Sequence, residues 1–124
     1  MPPMRNATKP HSRAHRRQLS GPGVVRIIDL PAEGCALPVP DVPAGREWSE
    51  AERERWTELW ESPQATQWDD TVRGTVAVLV IYESLIFTGE ASAWHAQESR
   101  HAAESLGLTP RALAALGWRI VETT

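Results

Sequence analysis

The chain has 124 residues, a formal net charge of −3, ten prolines, six tryptophans and one cysteine. That length holds one domain at most, and a lone cysteine excludes an intrachain disulfide and offers no zinc-ligand spacing. The basic N-terminal stretch lacks the apolar run of a signal peptide, and the longest apolar run, 76–82, is far too short to span a membrane, so no membrane partner and a cytoplasmic setting are expected.

Charge divides the chain in two. Residues 1–26 carry Arg5, Lys9, Arg13, Arg16, Arg17 and Arg26 without an acid, a net of +6, whereas residues 27–124 carry seven arginines against all sixteen acids, a net of −9. A basic arm on an acidic body is the pattern of a tail that binds nucleic acid or an acidic surface. The same composition suits a disordered solubilising extension. No aromatic residue interleaves with these cations, so the arm offers phosphate contact rather than base stacking. His11 and His15 stand four apart in this arm with no carboxylate near them, which leaves a metal ion without a third ligand.

Residues 24–30, VVRIIDL, read as a short strand or an extended docking segment, limited by Pro22 and Pro31. ALPVPDVPAG then reads as a polyproline-like linker that ends in a turn at Gly45. Residues 1–45 are therefore expected to be a disordered basic arm and linker, and residues 46–120 a small all-α domain.

The first helix has a clear start. Ser49 is an N-cap and Glu52, three residues on, completes a capping box. Trp56, Leu59 and Trp60 form an i, i+3, i+4 apolar stripe, opposite a charged face of Arg53, Glu54, Arg55 and Glu58. The tryptophans on this stripe read as core anchors, because a base-stacking site needs arginines beside exposed rings and this neighbourhood is acidic. Ser62-Pro63 opens a short helix that delivers Trp68. Asp69 or Asp70 caps TVRGTVAVLVIYESLIF, which is β-branched like a strand. Its length without proline and the spacing of Val72, Val76, Leu79 and Ile86 favour a buried helix, stopped by Gly89. A polar helix over 90–106 follows, with a thin stripe of Trp94, Ala102 and Leu106 and a C-terminal Gly107. Thr109-Pro110 opens the last helix, whose apolar positions are Leu113, Leu116 and Trp118.

A core of this size is marginal without staples, so self-association is expected to supplement it. Its surface is assigned to Trp56, Leu59, Trp60, Trp68, Val76, Leu79, Ile86 and Phe87, as core or oligomer interface. No catalytic constellation is found, and no cofactor is expected. Glu98 and His101 have the Glu-x-x-His spacing of di-iron bundles, but those need two such motifs and two further carboxylates. Gly21-Pro-Gly23 lacks the Gly-Lys-Ser/Thr of a phosphate loop.

The order of motifs carries a resemblance. Gly45-Arg46-Glu47-Trp48 is followed by Trp56-x-x-x-Trp60-x-Ser62-Pro63, an acidic pair, a buried helix, and a polar helix ending in LGLTPRALAALGW. This resembles the small terminase subunits of tailed bacteriophages, in the form common among actinobacterial phages, over residues 38–118. The resemblance implies a non-catalytic subunit that recognises the viral packaging site on double-stranded DNA and assembles as a homo-oligomeric ring. It also implies that the ring presents DNA to the large terminase subunit, the ATPase and nuclease, in the host cytoplasm. The helix after Leu-Thr-Pro is arginine-rich in that family, whereas here Ala112, Ala114 and Ala115 leave only Arg111 and Arg119. With no helix-turn-helix possible in the proline-rich 1–45, the DNA contacts are assigned to the six arm cations, with Arg111 and Arg119 beside them. A helical adaptor that binds protein alone, docking through the arm and VVRIIDL, is the alternative.

Overall fold

The computed structural model describes residues 26–122. In chain order they form strand β1 (Ile28–Pro31), helix α1 (Glu50–Trp60), two 3-10 turns (Pro63–Gln67 and Asp70–Val72), helices α2 (Arg73–Phe87), α3 (Ala93–Ser105) and α4 (Pro110–Leu116), and strand β2 (Trp118–Val121). The expected helical domain is there, with an addition that an all-α reading lacked. β1 and β2 pair in parallel, with Ile28 opposite Trp118 and Pro31 opposite Val121.

The helix starts follow local chemistry. The Ser49 hydroxyl accepts the Glu52 amide at 3.1 Å, and the Glu52 carboxylate accepts the Ser49 amide at 2.8 Å. Thr109 caps α4 through the Ala112 amide at 3.0 Å, with proline in the first turn. At α3 the cap is Ser92, and His95 Nδ1 supplies the reciprocal bond to the Ser92 amide at 3.1 Å. A Ser-x-x-Glu/Gln template passes over that histidine, which is why the sequence placed the start at residue 90. Gly89 follows Thr88, the C-cap of α2, with a φ of 78° that turns the chain out of the helix. Gly107 is more tightly constrained: its φ is 77°, and a Cβ there would lie 2.3 Å from the Trp118 ring.

The β-branched segment 73–87 is helical because its buried positions recur at helical spacing. Val76, Leu79 and Val80 are all almost fully buried, and α2 packs against both α1 and α3. Burial at that spacing outweighs the local strand preference of valine and isoleucine. Ile86, expected on the same stripe, is half-exposed, and Trp94 on α3 is exposed. The thin α3 stripe is reduced to Ala102, with Leu106 just beyond the helix. Trp118, expected on the last helix, lies in β2, because Gly117 turns left-handed (φ 71°) and ends α4 one residue earlier.

Packing begins ahead of the boundary expected at residue 46. Leu30 of β1 is fully buried, and Val39 and Val42 of the linker pack against the core. β1 tolerates Pro31 because it is an edge strand. Amides of Ile28 and Ala32 donate to Gly117 O and Val121 O, both at 2.8 Å, so by alternation the Pro31 nitrogen faces away from β2. The core centres on four tryptophans in series. Trp48, Trp56, Trp60 and Trp68 stand with successive ring centroids 6.0, 5.8 and 5.3 Å apart. Those separations are in the favourable range for tilted and edge-to-face rings.

Candidate nucleic-acid interface

Cations are the first requirement of a phosphate-binding surface. Arg5, Lys9, Arg13, Arg16 and Arg17 lie outside the described residues. Arg26 is exposed, immediately before β1, and its carbonyl would lie 3.0 Å from a Cβ on Gly117. The arm therefore joins the body at the strand pair, beside the end of α4. Arg111 is exposed on α4 and borders a cavity of about 240 Å³ with Glu104 and Leu116. Arg119 is on β2 rather than on a helix, and its guanidinium contacts the Asp29 carboxylate at 2.9 Å. That surface pair contributes only about 0–1 kcal/mol to stability. It does place a negative charge directly on one of the two body arginines assigned to DNA.

Two other body arginines are similarly committed. Arg46 pairs with Glu52 at 3.3 Å and lies over the Trp48 ring at 4.8 Å. Arg55 bridges α1 to α2 by a two-pronged contact with Glu83, at 2.9 and 3.2 Å, and reaches Glu58 at 3.3 Å. The bond to Glu83 raises the Arg55 pKa above its ordinary value despite partial desolvation. For Glu52, burial opposes ionisation, but the Ser49 bonds and Arg46 outweigh it and hold the carboxyl below its ordinary value. Among the described residues, Arg26, Arg53, Arg73, Arg100 and Arg111 are in no ion pair with a carboxylate, although Arg73 donates to the Asp41 main-chain carbonyl at 2.9 Å. They are spread over the segment before β1, α1, α2, α3 and α4 rather than gathered on one element.

The tryptophan series is structural in its geometry. Trp56 and Leu59 are almost fully buried, and Trp48, Trp60 and Trp68 nearly so. Three indole N–H groups donate to main-chain carbonyls: Trp48 to Pro43 at 3.0 Å, Trp56 to Pro40 at 2.7 Å and Trp68 to Leu106 at 3.0 Å. The first two hold the proline-rich linker across α1. No sequence signal announced these bonds, since proline carbonyls are indistinguishable from others in a one-letter string. The faces of these rings are spent on one another and are closed to bases.

A different surface is open. Phe87, the chain's single phenylalanine, is 84% exposed at the end of α2, with Ile86 and Val78 partly exposed on the same helix. Trp94 is 57% exposed and packs on Tyr82 and His95 at 5.7 and 5.3 Å. Between α1 and α2 lies a cavity of about 300 Å³ lined by Ala51, Val80, Ser84 and Phe87 and flanked by the Arg55–Glu83 pair. Of the residues assigned to a core or oligomer interface, Val76 and Leu79 are inside the single chain, whereas Ile86 and Phe87 face outward.

His101 Nδ1 lies 3.7 Å from Glu98 on the exposed side of α3, an i, i+3 contact. Among the described residues no group of three His, Cys, Asp or Glu side chains is arranged to hold a metal ion. No described helix is long and apolar enough to cross a membrane.

Residues 3–123 match a family model described as phage terminase small subunit. No curated protein and no solved structure matches the chain.

Proposed function

The chain belongs to the phage terminase small subunit family, whose role is in phage DNA packaging, and from that premise we propose that it is the non-catalytic subunit that binds double-stranded viral DNA at the packaging site in the host cytoplasm. It assembles as a homo-oligomeric ring and recruits the large terminase subunit, the ATPase and nuclease.

The observation that carries the DNA-binding part is the division of charge. The arm holds six cations and no acid, while the body sets seven arginines against sixteen acids, and three of those arginines, Arg46, Arg55 and Arg119, are paired with its own carboxylates. DNA affinity therefore resides in Arg5, Lys9, Arg13, Arg16, Arg17 and Arg26, with Arg111 as a secondary contact beside the arm's attachment. Arg119 contributes only after release from Asp29. Several arms on one ring act together, and such linkage raises affinity by orders of magnitude over a single arm. Assembly uses the outward face of α2 and α3, where Ile86, Phe87 and Trp94 are exposed.

The test is a salt titration of the full chain and of a variant lacking residues 1–26 on one duplex, read by fluorescence anisotropy. Each neutralised phosphate adds about −0.9 to the log–log salt slope. The full chain is expected to bind with a steep slope, and the truncated one weakly with a shallow slope. Equal affinity and slope would move the contacts into the body. Native mass spectrometry of the wild type gives the assembly, and a stable monomer at tens of micromolar would exclude the ring.

A further inference from the structure

Two unlike apolar features stand on opposite sides of α2. On the α1 side is the cavity of about 300 Å³, lined by Ala51 and Arg55 of α1 and by Val80, Glu83, Ser84 and Phe87 of α2. Val80 is 1% exposed and Phe87 84% exposed, so the cavity runs from a buried floor to an open aromatic lip. On the α3 side is Trp94, 57% exposed, resting on Tyr82 at 5.7 Å. Successive residues of an α-helix are about 100° apart around its axis. Tyr82 is two positions from both Val80 and Ser84 and so points about 160–200° away from them. The ring of Trp94 and the cavity are therefore on far sides of the helix and do not meet within one chain.

Each feature complements the other. A buried indole needs an acceptor for its N–H. Trp48, Trp56 and Trp68 have theirs inside the chain, whereas among the described residues Trp94 Nε1 has none. The cavity supplies two. The Ser84 hydroxyl makes no hydrogen bond among the described residues. The Glu83 carboxylate, engaged by Arg55 at 2.9 and 3.2 Å, keeps lone pairs for a further donor. Charge agrees as well. The carboxylates at the cavity and on its ion pairs are Glu52, Glu58 and Glu83 against Arg46 and Arg55, a net of −1. Trp94 is in the first turn of α3, which contains no acid, so it stands at the positive end of a helix dipole that no carboxylate of that turn offsets. The body that presents an exposed indole on such a helix start is a second copy of this chain. Because the two features lie on opposite sides, the contact is head-to-tail. A contact of that kind repeats from copy to copy and closes as a ring, whereas a two-fold dimer needs the same patch on both partners.

We propose that Trp94 of one copy enters the α1–α2 cavity of the next, its indole N–H donating to Ser84 or Glu83 and its ring packing on Phe87. The proposal rests on the reading of the chain as a self-assembling subunit and specifies which two surfaces meet. One indole buries about 150–250 Å², about a quarter of the roughly 800 Å² per partner in a stable interface, so Trp94 is the anchor of a wider contact.

The test is native mass spectrometry of two full-length variants and their mixture. Trp94→Ser removes the inserted ring. Ala51→Trp, at an exposed position lining the cavity, fills the socket. Each alone is expected to lose every species above the monomer. Mixed in equal amounts they are expected to form a single 1:1 heterodimer, since one intact ring and one intact socket remain between them. Variants that each keep the wild-type assembly would overturn the proposal and leave the ring reading standing. So would monomeric variants that stay monomeric when mixed. A monomeric wild type would remove the assembly reading and this contact with it. An independent measurement leaves Trp94 and Phe87 in place: Ala51→Cys with Ala93→Cys, both at exposed positions, in a Cys35→Ala background, treated with a short bis-maleimide. A ladder of dimer, trimer and larger products is expected. Products that stop at the dimer would show a two-fold contact, and an assembled protein that gives no product would place the interface elsewhere; either refutes the head-to-tail insertion. If either mass-spectrometry variant is unfolded by circular dichroism, the cross-link decides alone.

Discussion

Trp56 is the position where the linker, α1 and the tryptophan series meet, so its replacement tests how the core is held. Trp56→Phe keeps an aromatic ring between Trp48 and Trp60 and removes the N–H that donates to Pro40 O at 2.7 Å. Loss of the bond costs about 1 kcal/mol net, and somewhat more if the Pro40 carbonyl stays buried without a partner. The smaller ring leaves a void in a site that is 2% exposed, adding about another 1 kcal/mol. The expected loss is about 2 kcal/mol, whereas Trp56→Ala loses about 3–5 kcal/mol and unfolds much of the population in so small a domain. Urea unfolding followed by circular dichroism measures it, at one fixed protein concentration because the proposed self-association would make stability concentration-dependent. For a domain of this size 2 kcal/mol lowers Tm by about 10 °C. Trp94→Phe is the matched control: at 57% exposure it should stay within about 0.5 kcal/mol of wild type. If Trp56→Phe is as silent as that control, the indole–proline bond and the close packing around it are not what holds the linker.

Three further outcomes are expected. Phe87→Ser leaves the fold intact, because the ring is 84% exposed, and shifts the assembly toward smaller species in native mass spectrometry; Leu79→Asp, at a position 1% exposed, unfolds the chain instead, and an unchanged assembly in Phe87→Ser would remove that surface from the interface. Gly107→Ala combines a left-handed φ of 77° with a Cβ 2.3 Å from the Trp118 ring, so it should lower the urea midpoint by an amount equivalent to at least about 2 kcal/mol, in the range of strained positions; a wild-type midpoint would show that the ring moves aside freely. Glu52 has a folded pKa below its ordinary value of 4.5, so the stability it contributes is complete above that value and is lost as pH falls through the lower folded pKa; thermal melts across the acid range should show a steeper decline for wild type than for Glu52→Gln, and parallel declines would refute the linkage.

The parts of the fold written in short-range chemistry were legible. Ser49 with Glu52, Thr109 with Pro110, and glycine at 89 and 107 fix helix ends through contacts three or four residues apart, which a sequence displays directly. The 73–87 helix was legible for a different reason: burial at helical spacing overrode β-branching. What escaped depended on partners far along the chain. Asp29 and Arg119 are ninety positions apart, and the pairing of β1 with β2 leaves no local trace, so Trp118 looked like one more helical apolar residue. Of the residues assigned to self-association, Val76, Leu79, Ile86 and Phe87 looked alike as an apolar run. Helix rotation against α1 and α3 sends the first two inward and the last two outward. Arg119 was assigned to DNA contact through the resemblance to the family's basic last helix, and only the register against β1 reveals its acidic neighbour.

The parallel strand pair has a consequence for the order in which the molecule acquires its shape. β1 and β2 enclose all four helices between them in sequence, so their pairing closes a loop of nearly ninety residues, at an entropic cost of about 4 kcal/mol by the logarithmic loop law. Such a contact forms late, after the helices have shortened the path between its partners. During synthesis β1 emerges early and waits for 118–121. Until then Leu30, fully buried in the finished molecule, has no strand to lie against. The helical body can be assembled and still be unclasped. The step that seats Leu30 and lets Trp118 close over Gly107 is therefore reserved for a chain translated through Val121.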